Sequence, residues 1–302
     1  MNDKNIILDI YNKIAEKSPI HAKKLKKNMK HYNDVYFQRS DDFIIKYLKF
    51  LNTLGKDIDY SIDCYLKMLD DIIAEDTYFK KFGKYSSSSF EEVNNRVYGN
   101  PNIMEYYMHG LLISQFLWKQ HYQIYNYFIE NIKEYSNSTN SYLEIGAGHG
   151  LYLSEAVKIL DKNAIIDVVD ISESSINLAK NLINNDRINF TLANIFDFNS
   201  NKKYDFITMG EVLEHVENPL SLLLKLNELL NKNGTLYITA PTNAPTIDHI
   251  YLFKNINEIK SLLNKAGFKI EKDIYFYAED LPEEMAEKME IALMYGAFLK
   301  KI

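Results

Sequence analysis

Two patterns of apolar residues divide the chain. In the first part, apolar positions recur every three or four residues, and no stretch alternates apolar with polar as a half-buried strand does. Ser40-Asp41-Asp42 predicts the cap of a helix that carries Phe43, Tyr47, Phe50 and Leu51 and stops near Gly55. Ser61–Phe79 predicts a second helix, and Phe82–Phe90, with Gly83 and four serines, a loop. From Pro101 one long helical pattern runs through Ile103, Leu111, Trp118, Tyr125 and Ile132. Beyond the polar linker Ser136–Asn140 the pattern changes. Short β-branched runs at 142–145, Ala164–Asp170, Ile188–Ala193, Tyr204–Met209 and Gly234–Thr239 read as parallel strands buried on both faces. Amphipathic stretches separate them, such as Glu173–Asn184 behind the capping Ser172. A helix ending near Gly267, a strand at Phe268–Tyr277, a helix at Leu281–Ile291 and a strand at Met294–Lys301 complete the chain. Strands alternating with helices imply a doubly wound α/β sheet, with ligands at the carboxyl ends of its strands. The expected division is a helical cap over residues 1–135 and a ligand-binding α/β domain over 136–302.

Candidate chemistry starts where the first strand ends. Residues 142–150 read Tyr-Leu-Glu-Ile-Gly-Ala-Gly-His-Gly. A glycine turn after a strand lets backbone approach a ligand and aims a helix N-terminus at it. The spacing is G-x-G-x-G rather than the dinucleotide G-x-G-x-x-G, and Glu144 would repel a pyrophosphate. A ligand carrying an amine and a sulfonium suits it better. Asp170, 22 residues beyond Gly148, stands where a ribose-binding acid belongs.

These residues resemble motif I and the following strands of class I S-adenosylmethionine (SAM) methyltransferases, over roughly Asn140–Ile302. The resemblance implies a Rossmann-like seven-stranded sheet whose last strand is inserted antiparallel, here preceded by an all-α domain. It implies SAM as cofactor, with Glu144, Gly146, Ala147 and Gly148 around its methionine and ribose, and Asp170 on both ribose hydroxyls. Ile171, Asn194, Ile195 and Glu211 complete the expected cofactor set. Where the family often has an Asp for the adenine amine, this chain has Asn194, whose amide oxygen can also accept.

A second segment, Gly210-Glu211-Val212-Leu213-Glu214-His215-Val216-Glu217-Asn218-Pro219, resembles the post-strand motif of ubiquinone-pathway O-methyltransferases. If helical, it sets Glu211, Glu214 and His215 on one face. In those enzymes, and in small-RNA 2′-O-methyltransferases, E-x-x-E-H binds a divalent ion, and the RNA enzymes add a histidine from beyond the fifth strand. Here Asp248-His249 lies beyond that strand. Glu211, Glu214, His215 and His249 are therefore the expected metal ligands. Without a metal, Glu211 borders the cofactor, Glu214 caps or pairs locally and His215 acts as base or orienter for the acceptor; His215, His249 and Glu214 are the expected catalytic residues. His149 is expected to contribute backbone only.

Composition narrows the function further. The 302 residues are 46% hydrophobic and carry a formal net charge of −6, which fits a globular enzyme and disfavours nucleic acid as partner. The basic run Lys23, Lys24, Lys26, Lys27 and Lys30 reads as a solvated helix face. One cysteine, Cys64, precludes an intramolecular disulfide and fits a reducing compartment; with no long apolar run, a cytoplasmic location off the membrane is expected. The helical half would build the acceptor pocket, with Tyr106, Tyr107, Trp118, His121 and Tyr122 as lining. O-methylation of a small molecule is the leading reaction. N-methylation and a non-catalytic SAM-binding regulator are the alternatives. The sequence leaves the oligomeric state open.

Overall fold

The computed structural model describes residues 6–302; the first five positions of the expected helical half lie outside them. The helical part comprises α1 (Ile6–Lys17), α2 (Pro19–Met29), α3 (Asp34–Thr53), α4 (Ile58–Phe82) and the short α5 (Phe90–Val93). A π-helical turn (Asn94–Tyr98), α6 (Pro101–Leu117) and α7 (Lys119–Ser136) follow. The α/β part runs β1 (Ser141–Ile145), α8 (Leu151–Ile159), β2 (Ile165–Asp170), α9 (Glu173–Ile183), β3 (Ile188–Leu192) and β4 (Tyr204–Gly210). It continues with a 3-10 turn (Leu213–His215), α10 (Pro219–Leu229), β5 (Leu230–Thr242), α11 (Ile256–Lys265), β6 (Phe268–Tyr277), α12 (Glu283–Lys288) and β7 (Leu293–Lys301).

The strands form one seven-stranded sheet in the order β3-β2-β1-β4-β5-β7-β6, with β7 antiparallel to both neighbours. The order reverses between β1 and β4, which opens a crevice at their carboxyl ends. The expected α/β class, seven strands and antiparallel last strand are all present.

Three helical expectations are corrected. First, α3 starts two turns before Ser40. Asn33 caps it by accepting from Tyr36 N–H at 3.1 Å, while the buried Ser40 hydroxyl donates to the Phe37 carbonyl instead. Second, the pattern from Pro101 is two helices, broken at Trp118, whose φ of −98° and ψ of 124° are extended. Apolar periodicity carries across one non-helical residue, so the break is invisible in the pattern. The Trp118 indole holds the corner by donating to the Tyr65 hydroxyl at 2.7 Å. Third, α12 is six residues long, shorter than Leu281–Ile291.

The core is layered. One cluster fills the helical part and takes in Leu151, Leu178 and Leu182 from α8 and α9, so α1–α6 rest on the α/β part. A second lies between the sheet and α10–α11. The third joins α7 to the opposite sheet face, where Phe128, Ile132 and Tyr135 pack with Tyr237 and Phe298. α7 is thus a layer of the sheet domain, although it lies before residue 136. Burial of its three large side chains contributes on the order of 5–8 kcal/mol, comparable to the whole stability of a domain. A fragment 136–302 would expose that sheet face and is expected to aggregate. A fragment 119–302 retains the layer and is expected to stay more soluble, which size-exclusion chromatography of the two fragments checks.

Candidate active site

The carboxyl ends of β1, β2, β3 and β4 open into one cavity of about 1410 Å³, roofed by α2, α4, α6 and the start of α7. Gly146, Ala147, Gly148 and His149 line it from the first turn, Asp170 and Ile171 from the second, and Asn194 and Ile195 from the third. Gly210, Glu211 and Val212 close the fourth.

The first turn needs its glycines. Gly146, Gly148 and Gly150 have φ of +66°, +54° and +73°, the left-handed region. A Cβ on Gly146 would also stand 2.7 Å from Val212 Cγ2. The backbone therefore forms the cavity wall itself. Asp170 ties the first and second turns together: one carboxylate oxygen accepts from Ser172 N–H at 2.8 Å and the other from Gly148 N–H at 3.2 Å. Each oxygen keeps a lone pair for a ligand hydroxyl. Burial pushes the Asp170 carboxyl up to about 6, against the pull of those N–H donors.

Glu144 does not reach the cavity. It is 2% exposed, and it accepts from the Tyr142 hydroxyl two residues back on β1. Burial pushes it up to about 8, so it holds a proton at neutral pH. Alternation along β1 turns its side chain under the glycine turn rather than onto a ligand, which corrects its expected place beside the methionine. Asn194 does line the cavity, but its amide oxygen already accepts from Phe196 N–H at 3.0 Å.

The segment after β4 is not an α-helix. Glu211 has φ +54°, and only Leu213–His215 turn, as 3-10. The expected common face of Glu211, Glu214 and His215 does not form. Glu214, His215 and His249 nevertheless converge, each offering one ligand atom within 4.8 Å of the others. His215 Nε2 and His249 Nε2 stand 3.8 and 3.9 Å from Glu214 Oε1. Glu211 is outside that cluster. It lines the cavity, with Oε1 buried and without a hydrogen-bond partner among the described residues, and burial raises it to about 7.

Glu214 is fully buried, and neither of its carboxylate oxygens has a hydrogen-bond partner among the described residues. Burial first, then Glu211 and Asp248, holds it well above the usual carboxylate range. Its own carbonyl accepts from Ile250 and Tyr251 N–H, which pins the loop bearing His249 over it. Burial brings His249 down to about 3, so its imidazole is neutral. Asp248 is gripped from three sides: Thr246 Oγ1 donates at 2.8 Å, the Tyr107 hydroxyl at 3.0 Å and the Tyr98 hydroxyl at 3.4 Å.

Of the expected lining, Tyr107, Trp118 and His121 face the cavity and two others do not. Tyr106 donates to Asp71 on α4, and Tyr122 packs against Tyr32 and Tyr36. The aromatic spacing could not tell these faces apart. His149 lines the cavity within the glycine turn, with its Nδ1 buried. Tyr98 is a wall residue the pattern missed, because it sits in a π-helical turn with no periodicity to mark it.

A family model for a methyltransferase domain matches residues 118–273. The chain belongs to this methyltransferase family. The match begins where α7 begins. Ubiquinone biosynthesis O-methyltransferase of Rickettsia bellii is 27% identical over 202 residues, 58% of this chain and 82% of that one. Malonyl-[acyl-carrier protein] O-methyltransferase 1 of Ilyobacter polytropus is 24% identical over 158 residues, 48% of this chain and 59% of that one. N-methyltransferase NodS from Bradyrhizobium japonicum, solved with S-adenosyl-L-homocysteine, superposes with a TM-score of 0.51 at 14% identity. That likeness covers 71% of this chain and 99% of NodS, and bears on the fold.

This methyltransferase uses SAM, whose sulfonium supplies an electrophilic methyl group. The cavity fits that donor. Gly146 and Gly148 leave backbone open to close approach, the Asp170 carboxylate would serve as hydroxyl acceptor, and the Glu211 oxygen, unpartnered among the described residues, would serve as partner for a cation. Both acids must be ionised for this. SAM affinity is therefore expected to level off above about pH 8 and to fall as pH drops through about 7 and 6, where Glu211 and Asp170 take up protons. Calorimetry from pH 5 to pH 8 measures it, and Asp170→Asn should remove the lower step.

Proposed function

We propose that this methyltransferase transfers a methyl group to an oxygen of a small acceptor with an apolar body. Its functional halves are a cap ending at Leu117 and a catalytic domain starting at α7. The single observation that carries the acceptor class is the cavity: it extends well beyond the strand ends, and Leu66, Leu69, Met104, Leu111, Ile124 and Met294 supply its far walls. Transfer to oxygen is supported by the printed activities of the curated relatives. The net charge and the buried, free Cys64 support a small molecule rather than nucleic acid and a cytoplasmic setting. No helix among the described residues is long and apolar enough to cross a membrane.

We further propose that Glu214, His215 and His249 hold a divalent ion. A buried carboxylate with two free oxygens facing two imidazole nitrogens is costly unless something cationic joins it. Two imidazoles and a carboxylate suit manganese, iron or zinc better than magnesium. Bound there, the ion would supply Lewis acidity toward an acceptor oxygen. The chain's own part is to exclude water, through the roof of α4 and α6, and to hold the acceptor in line with the methyl. If the site works without metal, His215 Nε2 is the base that takes the acceptor proton. The test is tritium transfer from labelled SAM to a panel of apolar phenols, catechols and carboxylic acids. It is run on untagged enzyme before chelation, after chelation and after Mn²⁺ add-back. Transfer lost on chelation and restored by Mn²⁺ is expected. Full transfer by the stripped enzyme would leave His215 and His249 as acid/base residues.

A further inference from the structure

His215 stands in a bonding pattern that fixes its tautomer. Its Nδ1 lies 2.9 Å from the Asp248 carbonyl, which can only accept, so Nδ1 carries the proton. The lone pair is then on Nε2, the nitrogen that faces Glu214 Oε1 at 3.8 Å and the His249 ring. A ligand or base needs that lone pair. What holds the pattern comes from outside the catalytic domain. The Tyr98 hydroxyl is 3.0 Å from the same Nδ1 and also donates to Asp248 Oδ2. The Tyr107 hydroxyl on α6 donates to Asp248 Oδ1. Arg96 donates to the Ile247 carbonyl at 2.5 Å, so the π-helical turn grips the same loop.

The turn is built for this placement. Gly99 N–H donates to the Asn94 carbonyl at 2.7 Å, closing the wide loop, and a Cβ on Gly99 would sit 2.8 Å from that oxygen. π-Turns place side chains that an α-helix cannot reach, and they concentrate at functional sites.

We propose that Tyr98 and Tyr107, from the helical half, are positioning residues: they hold Asp248 so that His215 keeps its proton on Nδ1 and its Nε2 lone pair toward Glu214 and His249. The proposal rests on His215 being an active-site residue of the methyltransferase, and its test needs neither acceptor nor metal. Long-range ¹H–¹⁵N correlation of the full chain at pH 8 reads the His215 ring nitrogens directly, assigned with His215→Gln. Wild type is expected to show a single Nδ1–H tautomer. Tyr98→Phe and Tyr107→Phe each remove one hydroxyl and keep the ring, and Tyr98, less completely buried than Tyr107, is the safer of the two for folding. The double variant is expected to show mixed tautomers, and to bind Mn²⁺ alone about tenfold more weakly if the site is metallated. Retained SAM binding, read by calorimetry, shows that the variants are folded. A wild-type His215 that is mixed or Nε2-protonated overturns the proposal, as do wild-type nitrogen shifts in a folded Tyr98→Phe and in the double variant. Absence of Mn²⁺ binding by wild type would contradict the metal site alone, and the nitrogen spectra would still decide the role of the tyrosines.

Discussion

Asp170→Ala is expected to weaken SAM binding by about 30- to 1000-fold, the equivalent of ~2–4 kcal/mol for a lost pair of charge-assisted hydrogen bonds. The effect is large because Asp170 does two jobs. Its carboxylate is the acceptor the cavity offers at the end of β2, and it also holds the glycine turn through Gly148 N–H. Asp170→Asn keeps one oxygen for Gly148 or Ser172, so its loss should be smaller than that of Asp170→Ala. Glu144→Gln is the contrasting variant. Its amide oxygen can still accept from Tyr142, and its side chain faces away from the cavity, so SAM affinity should stay within a few fold. Calorimetry on the three variants separates the wall of the cavity from its backing. Affinity unchanged in Asp170→Ala would remove Asp170 from the cofactor site.

Glu214→Gln is expected to trade function for stability. With no metal, Glu214 is a buried carboxyl with no hydrogen-bond partner among the described residues, raised well above its ordinary range. Over the pH range between its unfolded and folded pKa values, the native chain holds a proton that the unfolded chain has lost. The native state then binds more protons, so stability falls as pH rises through that window. Replacing the carboxyl with an amide abolishes this loss. The metal-free variant should melt several degrees higher than the metal-free wild type at pH 8, with less difference at pH 5. The same variant should bind Mn²⁺ at least tenfold more weakly and lose methyl transfer by about 100-fold or more. Melting curves with and without chelator check the first half and calorimetry with Mn²⁺ the second. A variant less stable than wild type in chelator would mean that the Glu214 carboxylate has a partner within the protein.

The sheet was legible because buried parallel strands are continuous β-branched runs. Ala164–Asp170 therefore announces itself, Phe268–Tyr277 shows instead the apolar–polar alternation of an edge strand, and the glycine turn after β1 marks where a ligand must approach. What was not legible depends on contacts distant in sequence. Trp118 breaks a perfectly periodic helix because its indole bonds to Tyr65 on another helix. Glu211 takes a left-handed backbone at the end of β4, where its N–H donates to Thr239 on β5, and so leaves the face that helical spacing assigned it. Glu144 looked like a ligand-binding acid, and only the twofold alternation of β1 shows that it points behind the turn. Tyr98 lies between a serine-rich loop and a proline-started helix, and nothing in its neighbours marks it as facing His215. In each case the residue type was visible and its direction was not.

The glycine turn and the two imidazoles of the cluster, His215 and His249, line one cavity with Glu214 buried behind them, and that juxtaposition is the centre of the account. Anomalous diffraction from crystals of the full chain grown with S-adenosyl-L-homocysteine and Mn²⁺, collected at the manganese edge, tests it most directly. The account predicts the homocysteine sulfur at the glycine turn and one manganese peak among Glu214, His215 and His249, on the acceptor side of that sulfur. S-adenosyl-L-homocysteine bound at the glycine turn with no manganese peak at the three residues, or with the peak elsewhere, would contradict it.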